Sequence, residues 1–114
     1  MEIAEDRRGS VLVLSPQGRL DSTTAPAFEQ RVRSRMAEGH RDLVIDLDAL
    51  DYVSSAGLRI FMMIGKSLKA ERGRLVLCRL QDTVREIFRI SAFDRIFTIA
   101  PSIADSLAQF DAAG

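Results

Sequence analysis

The sequence holds one cysteine, one histidine, three prolines and no tryptophan, and it has no surplus of either charge, since sixteen lysines and arginines face sixteen aspartates and glutamates. Each scarcity excludes something. A lone thiol builds neither a disulfide framework nor a multi-cysteine metal site, and Cys78 lies in the apolar run Leu75 to Leu80, where an inert strand thiol is expected. A formal net charge of zero sets up no long-range field toward nucleic acid or an anionic membrane, so neither is an expected partner. No run approaches the roughly 18 apolar residues needed to span a bilayer. Met1 to Arg8 places charges ahead of any apolar stretch, unlike a secretory leader. A soluble, cytoplasmic protein is expected. The only histidine, His40, sits in the turn Gly39-His40-Arg41, and there is no Gly-x-Ser-x-Gly elbow, so nucleophilic catalysis lacks its parts. The chain does not read as an enzyme, and nothing in it calls for a cofactor.

What is present is enough for one core. A length of 114 residues with 46% apolar content predicts a single domain over residues 1–114. Weakly extended Glu2 to Asp6 and the run Val11 to Leu14 predict a hairpin, with Gly18 to Leu20 extended again out of the turn Ser15-Pro16-Gln17-Gly18. Ala25, Phe28, Val32 and Met36 recur at helical spacing behind several possible caps in Asp21 to Thr24, and Pro26 suits the first turn. Leu43 to Leu47 and Arg74 to Leu80 read as strands covered on both faces. Between them a helix runs from about Ala56 to Arg72. A short helix with Val84, Ile87 and Phe88, a strand at Ile96 to Ile99 and a helix capped by Ser102 complete the chain. The pattern predicts an α/β fold with a mixed β-sheet, an N-terminal hairpin followed by parallel strands, and about four helices.

The chemistry concentrates in Asp51-Tyr52-Val53-Ser54-Ser55-Ala56-Gly57-Leu58-Arg59. A strand delivers two hydroxyl residues to the start of a helix, where one of them is a natural N-cap. Free backbone N–H groups and the macrodipole make such a start hospitable to negative charge, by about 0.3–1 kcal/mol. The helix that follows is apolar almost all round at Leu58, Ile60, Phe61, Met62, Met63 and Ile64, so some apolar surface near its start should be exposed, and two methionines suit a docking surface.

Ser54-Ser55-Ala56-Gly57-Leu58-Arg59 resembles the Asp-Ser-Ser-Gly-Leu-Gly signature of bacterial anti-anti-sigma factors, the STAS-domain anti-sigma factor antagonists. Gly18-Arg19-Leu20-Asp21 resembles that family's earlier Gly-x-Leu-Asp segment, and the order of segments matches along essentially the whole chain. The resemblance implies phosphorylation of Ser55, with Ser54 as second candidate. It also implies a partner, an anti-sigma factor serine kinase of the histidine-kinase-like ATPase fold, and a serine phosphatase that reverses the modification. The partner-binding set that it implies is Asp21, Ser22, Thr23, Ser54, Ser55, Ala56, Gly57, Leu58, Arg59 and Met62. Two departures from the signature bear on what the resemblance implies. Ser54 stands where the family has aspartate, and Arg59 replaces a glycine, putting a bulky cation one turn into the helix, either simply solvated or paired with a phosphate on Ser55 or an acidic residue of the partner. The alternative reading is a constitutive STAS subunit of a larger assembly, such as a lipid-transport ATPase complex.

Other chemistries fit less well. Gly65-Lys66-Ser67 ends like a phosphate-binding P-loop, but Ile60 stands where the first glycine belongs and the tripeptide lies in a helical pattern. Asp46, Asp48 and Asp51 form an acidic segment at a strand end that reads as solvated and turn-forming rather than as a magnesium site. Arg31, Arg33 and Arg35 read as solvated helix surface.

Overall fold

The computed structural model describes residues 1–112. The elements run β1 (Ile3–Arg8), β2 (Val11–Pro16), β3 (Gly18–Leu20), α1 (Ala25–Ala37), β4 (Asp42–Asp46), β5 (Leu50–Val53), α2 (Ser55–Ala70), β6 (Arg74–Cys78), α3 (Asp82–Ile90), a 3-10 turn (Phe93–Arg95), β7 (Thr98–Ala100) and α4 (Ile103–Ala112). The main sheet has the order β1-β2-β4-β6-β7, with β1 antiparallel to β2 and every other neighbour parallel. This is the expected hairpin followed by parallel strands, with four α-helices.

Alternation along the buried strands sorts the core into two layers. Leu12, Leu14, Leu43, Ile45 and Leu77 pack with Phe28, Phe61 and Phe88 from α1, α2 and α3. Val11, Val13, Val44, Val76 and Cys78 face the other way, toward Phe110 of α4. The strands are therefore apolar on both faces, which is why they read as continuous runs. Phe61 is the hinge of the larger layer, with edge-on contacts to Phe28 at 6.0 Å and Phe88 at 5.8 Å. Burial pushes the Cys78 thiol above its ordinary value.

Several expectations need correction. The extended segment at Gly18 to Leu20 does not join the main sheet. It pairs in parallel with β5, a strand not anticipated from the sequence, to form a separate two-stranded ribbon. The strand from Arg74 stops at Cys78 because Arg79 turns into the left-handed region at φ 56°, held by a two-pronged ion pair to Asp46 through Nε at 2.9 Å and Nη2 at 2.7 Å. Asp46 is accordingly buried rather than solvated. The arginines of α1 are engaged as well. Arg31 and Arg35 both bind Glu5 of β1, and Arg33 pairs with Glu29. Gly65, Lys66 and Ser67 lie inside α2. Among the described residues no three His, Cys, Asp or Glu side chains gather as a metal site, and no helix is long and apolar enough to cross a membrane.

Candidate functional site

The ribbon sets the site. Its register places Leu20 opposite Val53, so the chain leaves β3 and β5 side by side and the Asp21 turn lies next to the start of α2. The Ser54 N–H donates to the Leu20 carbonyl at 2.9 Å and ties the two exits together. Ser54 has extended backbone angles and is the N-cap of α2. The Gly57 N–H donates to its Oγ at 3.3 Å, and the Leu58 N–H to its carbonyl at 2.9 Å. Ser55 is the first residue of the helix and is exposed. Among the described residues its hydroxyl has no hydrogen-bond partner. The two serines thus differ, one occupied in capping and half-buried, the other free.

Gly57 is required by close approach rather than by backbone angle. A Cβ there would lie 2.7 Å from the Leu20 carbonyl oxygen and 3.0 Å from side-chain carbons of both Leu20 and Val53. That oxygen cannot retreat without giving up the Ser54 N–H. One residue therefore allows the first turn of α2 to sit against the ribbon.

On the β3 side, Asp21 organises its own turn. Its Oδ1 accepts the Thr23 hydroxyl at 2.6 Å and the N–H groups of Thr23 and Thr24 at 3.0 and 3.2 Å. The Thr23 hydroxyl, followed by these N–H groups, holds the Asp21 carboxyl below its usual range. Thr24 occupies the N-cap position of α1 without a side-chain cap bond, and its hydroxyl instead donates to the Arg19 carbonyl at 2.8 Å. Ser22 and Thr23 are exposed.

Along α2, Gly57, Ile60, Phe61 and Ile64 are buried, while Leu58 and Met62 are half-buried and Met63 is exposed. The expected apolar surface is thus narrower than the sequence suggests and centres on the methionine pair. Ser55, Arg59, Met62 and Lys66 recur at helical spacing along the solvent side of the helix. Sequence reasoning missed Arg19 and Tyr52, which neighbour this surface. The Arg19 guanidinium stacks 4.3 Å over the Tyr52 ring and lies 3.8 Å from the Asp21 carboxylate. The missing signal was β5 itself, because only the Arg19 to Tyr52 register brings the pair together. Support comes from the start of α3, where Gln81 at the N-cap position donates to the Asp48 carbonyl at 2.6 Å and Thr83 to the Asp51 carbonyl at 3.0 Å, anchoring β5 and the approach to it.

A hairpin leading into a parallel sheet, with a hydroxyl pair at a helix start beside an Asp-Ser-Thr turn, is the architecture of a STAS domain. The STAS domain profile matches residues 2–106, and the chain belongs to that family. Over 113 residues it is 39% identical to BtrV of Bordetella bronchiseptica, which bears the provisional name anti-sigma factor antagonist, and the match covers 99% of this chain and 97% of BtrV. It is 34% identical over 101 residues to the anti-sigma-F factor antagonist RsfB of Mycobacterium tuberculosis, covering 85% of this chain and 79% of RsfB. The crystal structure of an anti-sigma factor antagonist from Mycobacterium paratuberculosis superposes with a TM-score of 0.85 at 29% identity, over 95% of this chain and 92% of that one.

Proposed function

We propose that this protein is an anti-sigma factor antagonist that works by partner switching in the cytoplasm. The unmodified chain binds an anti-sigma factor serine kinase through the Asp21 to Thr23 turn, the first turn of α2 and Met62, which frees a sigma factor. The kinase transfers the γ-phosphoryl group of ATP to Ser55. The Oγ–P bond forms, ADP leaves and the hydroxyl proton passes to solvent. A serine phosphatase hydrolyses the ester and resets the protein. The role is regulatory rather than catalytic.

The observation that carries this reading is the free, exposed Ser55 hydroxyl on the first residue of α2. A phosphate there adds about −1.5 to −2 charges at a spot where the fold spends none of its own hydrogen bonds. On Ser54 the same group would disturb the oxygen that caps Gly57. In this reading Ser55 is the phosphoacceptor and Ser54 the structural cap. The names carried by BtrV, RsfB and the mycobacterial structure support the antagonist role.

The test is a calorimetric titration against the anti-sigma kinase isolated with the native protein. Ser55→Ala should bind like the unmodified chain, and Ser55→Asp should lose at least about tenfold in affinity, which corresponds to 1.4 kcal/mol. Equal affinity of the two variants, together with no phosphate on Ser55 by mass spectrometry after incubation with kinase and ATP, would rule out switching and leave a constitutive assembly role.

A further inference from the structure

Arg59 is exposed, and among the described residues it has no ion pair and no hydrogen bond. Most arginines of this chain are spoken for: Arg31 and Arg35 by Glu5, Arg79 by Asp46, Arg74 by Asp42, Arg19 by Asp21 and the Tyr52 ring. Arg59 stands four residues after Ser55 within one helix, so the two Cβ atoms lie about 5–6 Å apart on the same face. An anion at the earlier position and a cation at the later one is also the favourable order along a helix. We propose that a phosphate on Ser55 is captured by the Arg59 guanidinium, so that phosphorylation takes a free cation away from the docking surface as well as adding an anion to it.

The proposal rests on Ser55 being the phosphoacceptor and says what the modification then does. A planar guanidinium offers two parallel N–H donors to two phosphate oxygens, a match that lysine's point charge lacks. Other cations are poorly placed to compete. Lys66 lies eleven residues further along α2, about 16 Å along the axis, and Arg19 is held over Tyr52 beside Asp21. In the unmodified protein Arg59 stands between Ser55 and the methionine pair, available to a carboxylate of the partner. Capture by the phosphate leaves that carboxylate unpaired in the interface, where an orphaned charge is costly. The switch then has two parts, and only the repulsive part survives in a chain without Arg59.

Phosphoserine placed at position 55 during translation makes the test independent of any kinase. The second ionisation of the phosphate is followed by 31P NMR against pH in the otherwise native chain and in the Arg59→Ala, Arg59→Lys and Arg19→Ala backgrounds. Capture stabilises the dianion, so the native chain should titrate about 0.3 pH units or more below Arg59→Ala. Arg59→Lys should fall between them, and Arg19→Ala should match the native chain. Coincident curves for the native chain and Arg59→Ala would overturn the proposal, as would a shift that follows Arg19 instead. Failure of the kinase to modify Ser55 would appear separately by mass spectrometry, sinking the switching function while leaving this measurement of the pair intact.

Discussion

The main sheet and the β3–β5 ribbon are built on opposite economies. In the sheet, Leu14, Leu43, Val44, Ile45 and Leu77 are wholly buried, and helices cover both faces. Many large side chains share the load, so no single backbone contact decides the architecture. In the ribbon, only Leu20, Leu50 and Val53 are buried, while Arg19, Asp51 and Tyr52 face solvent. Beyond the packing of Leu20, Leu50 and Val53 in the core, its fit against the first turn of α2 depends on the Ser54 to Leu20 hydrogen bond and the missing side chain of Gly57. The scaffold keeps its architecture through many shared contacts. The site is exact because it is thin, and its exposed outer face remains free for a partner.

Substitutions should separate the two regions. Phe61→Ala removes the ring that meets Phe28, Phe88 and Phe97, and chemical denaturation should show a loss of about 3–5 kcal/mol. The fraction still folded should bind the partner with unchanged affinity, because Phe61 does not reach the surface. Gly57→Ala should cost less, about 1–3 kcal/mol, as overpacking typically does. It should nonetheless damage binding more. The new methyl either forces the Leu20 oxygen off the Ser54 N–H or lifts the first turn of α2, and amide NMR shifts should concentrate at residues 20–24 and 53–58. A Gly57→Ala protein with native shifts there and full affinity would break the distinction between scaffold and site.

The same contrast explains what could be read from the sequence. Val11 to Leu14, Leu43 to Ile45 and Leu75 to Cys78 are legible because burial on both faces leaves an unbroken apolar run, and α1 because its buried residues repeat at 3.6. The Ser54-Ser55 pair is legible because capping is local chemistry. β5 is not, since Leu50-Asp51-Tyr52-Val53 is interrupted by two exposed residues and its partner β3 is three residues long and some thirty positions earlier. The end of β6 is not legible because Arg79 is fixed by Asp46, 33 residues away, and nothing nearby in sequence announces a left-handed arginine. Asp46, with Asp48 and Asp51 close behind, looks solvated for the same reason. Arg31 and Arg35 look like free surface until β1 brings Glu5 between them.

That last cluster gives the smallest effect and the sharpest control. Glu5 accepts Arg35 Nε at 2.8 Å and Nη2 at 3.0 Å, and Arg31 Nη1 at 2.6 Å, joining the edge strand β1 to α1. The Arg35 hydrogen bonds are the largest cause that holds the Glu5 carboxyl below its ordinary value. A carboxylate with a lowered folded-state pKa stabilises the protein at pH values above its unfolded pKa, and that contribution disappears as pH falls through the folded value. The side chain remains about a quarter exposed, so solvent screens the pairs. Glu5→Gln should therefore cost no more than about 1 kcal/mol at pH 7. The deficit should shrink with added salt and vanish once the native Glu5 is itself protonated. Because Glu5 ties only the main sheet to α1, partner affinity should be the same in both proteins. A fall in affinity with Glu5→Gln would mean that strain at the sheet edge reaches the ribbon, and that scaffold and site are not mechanically separate.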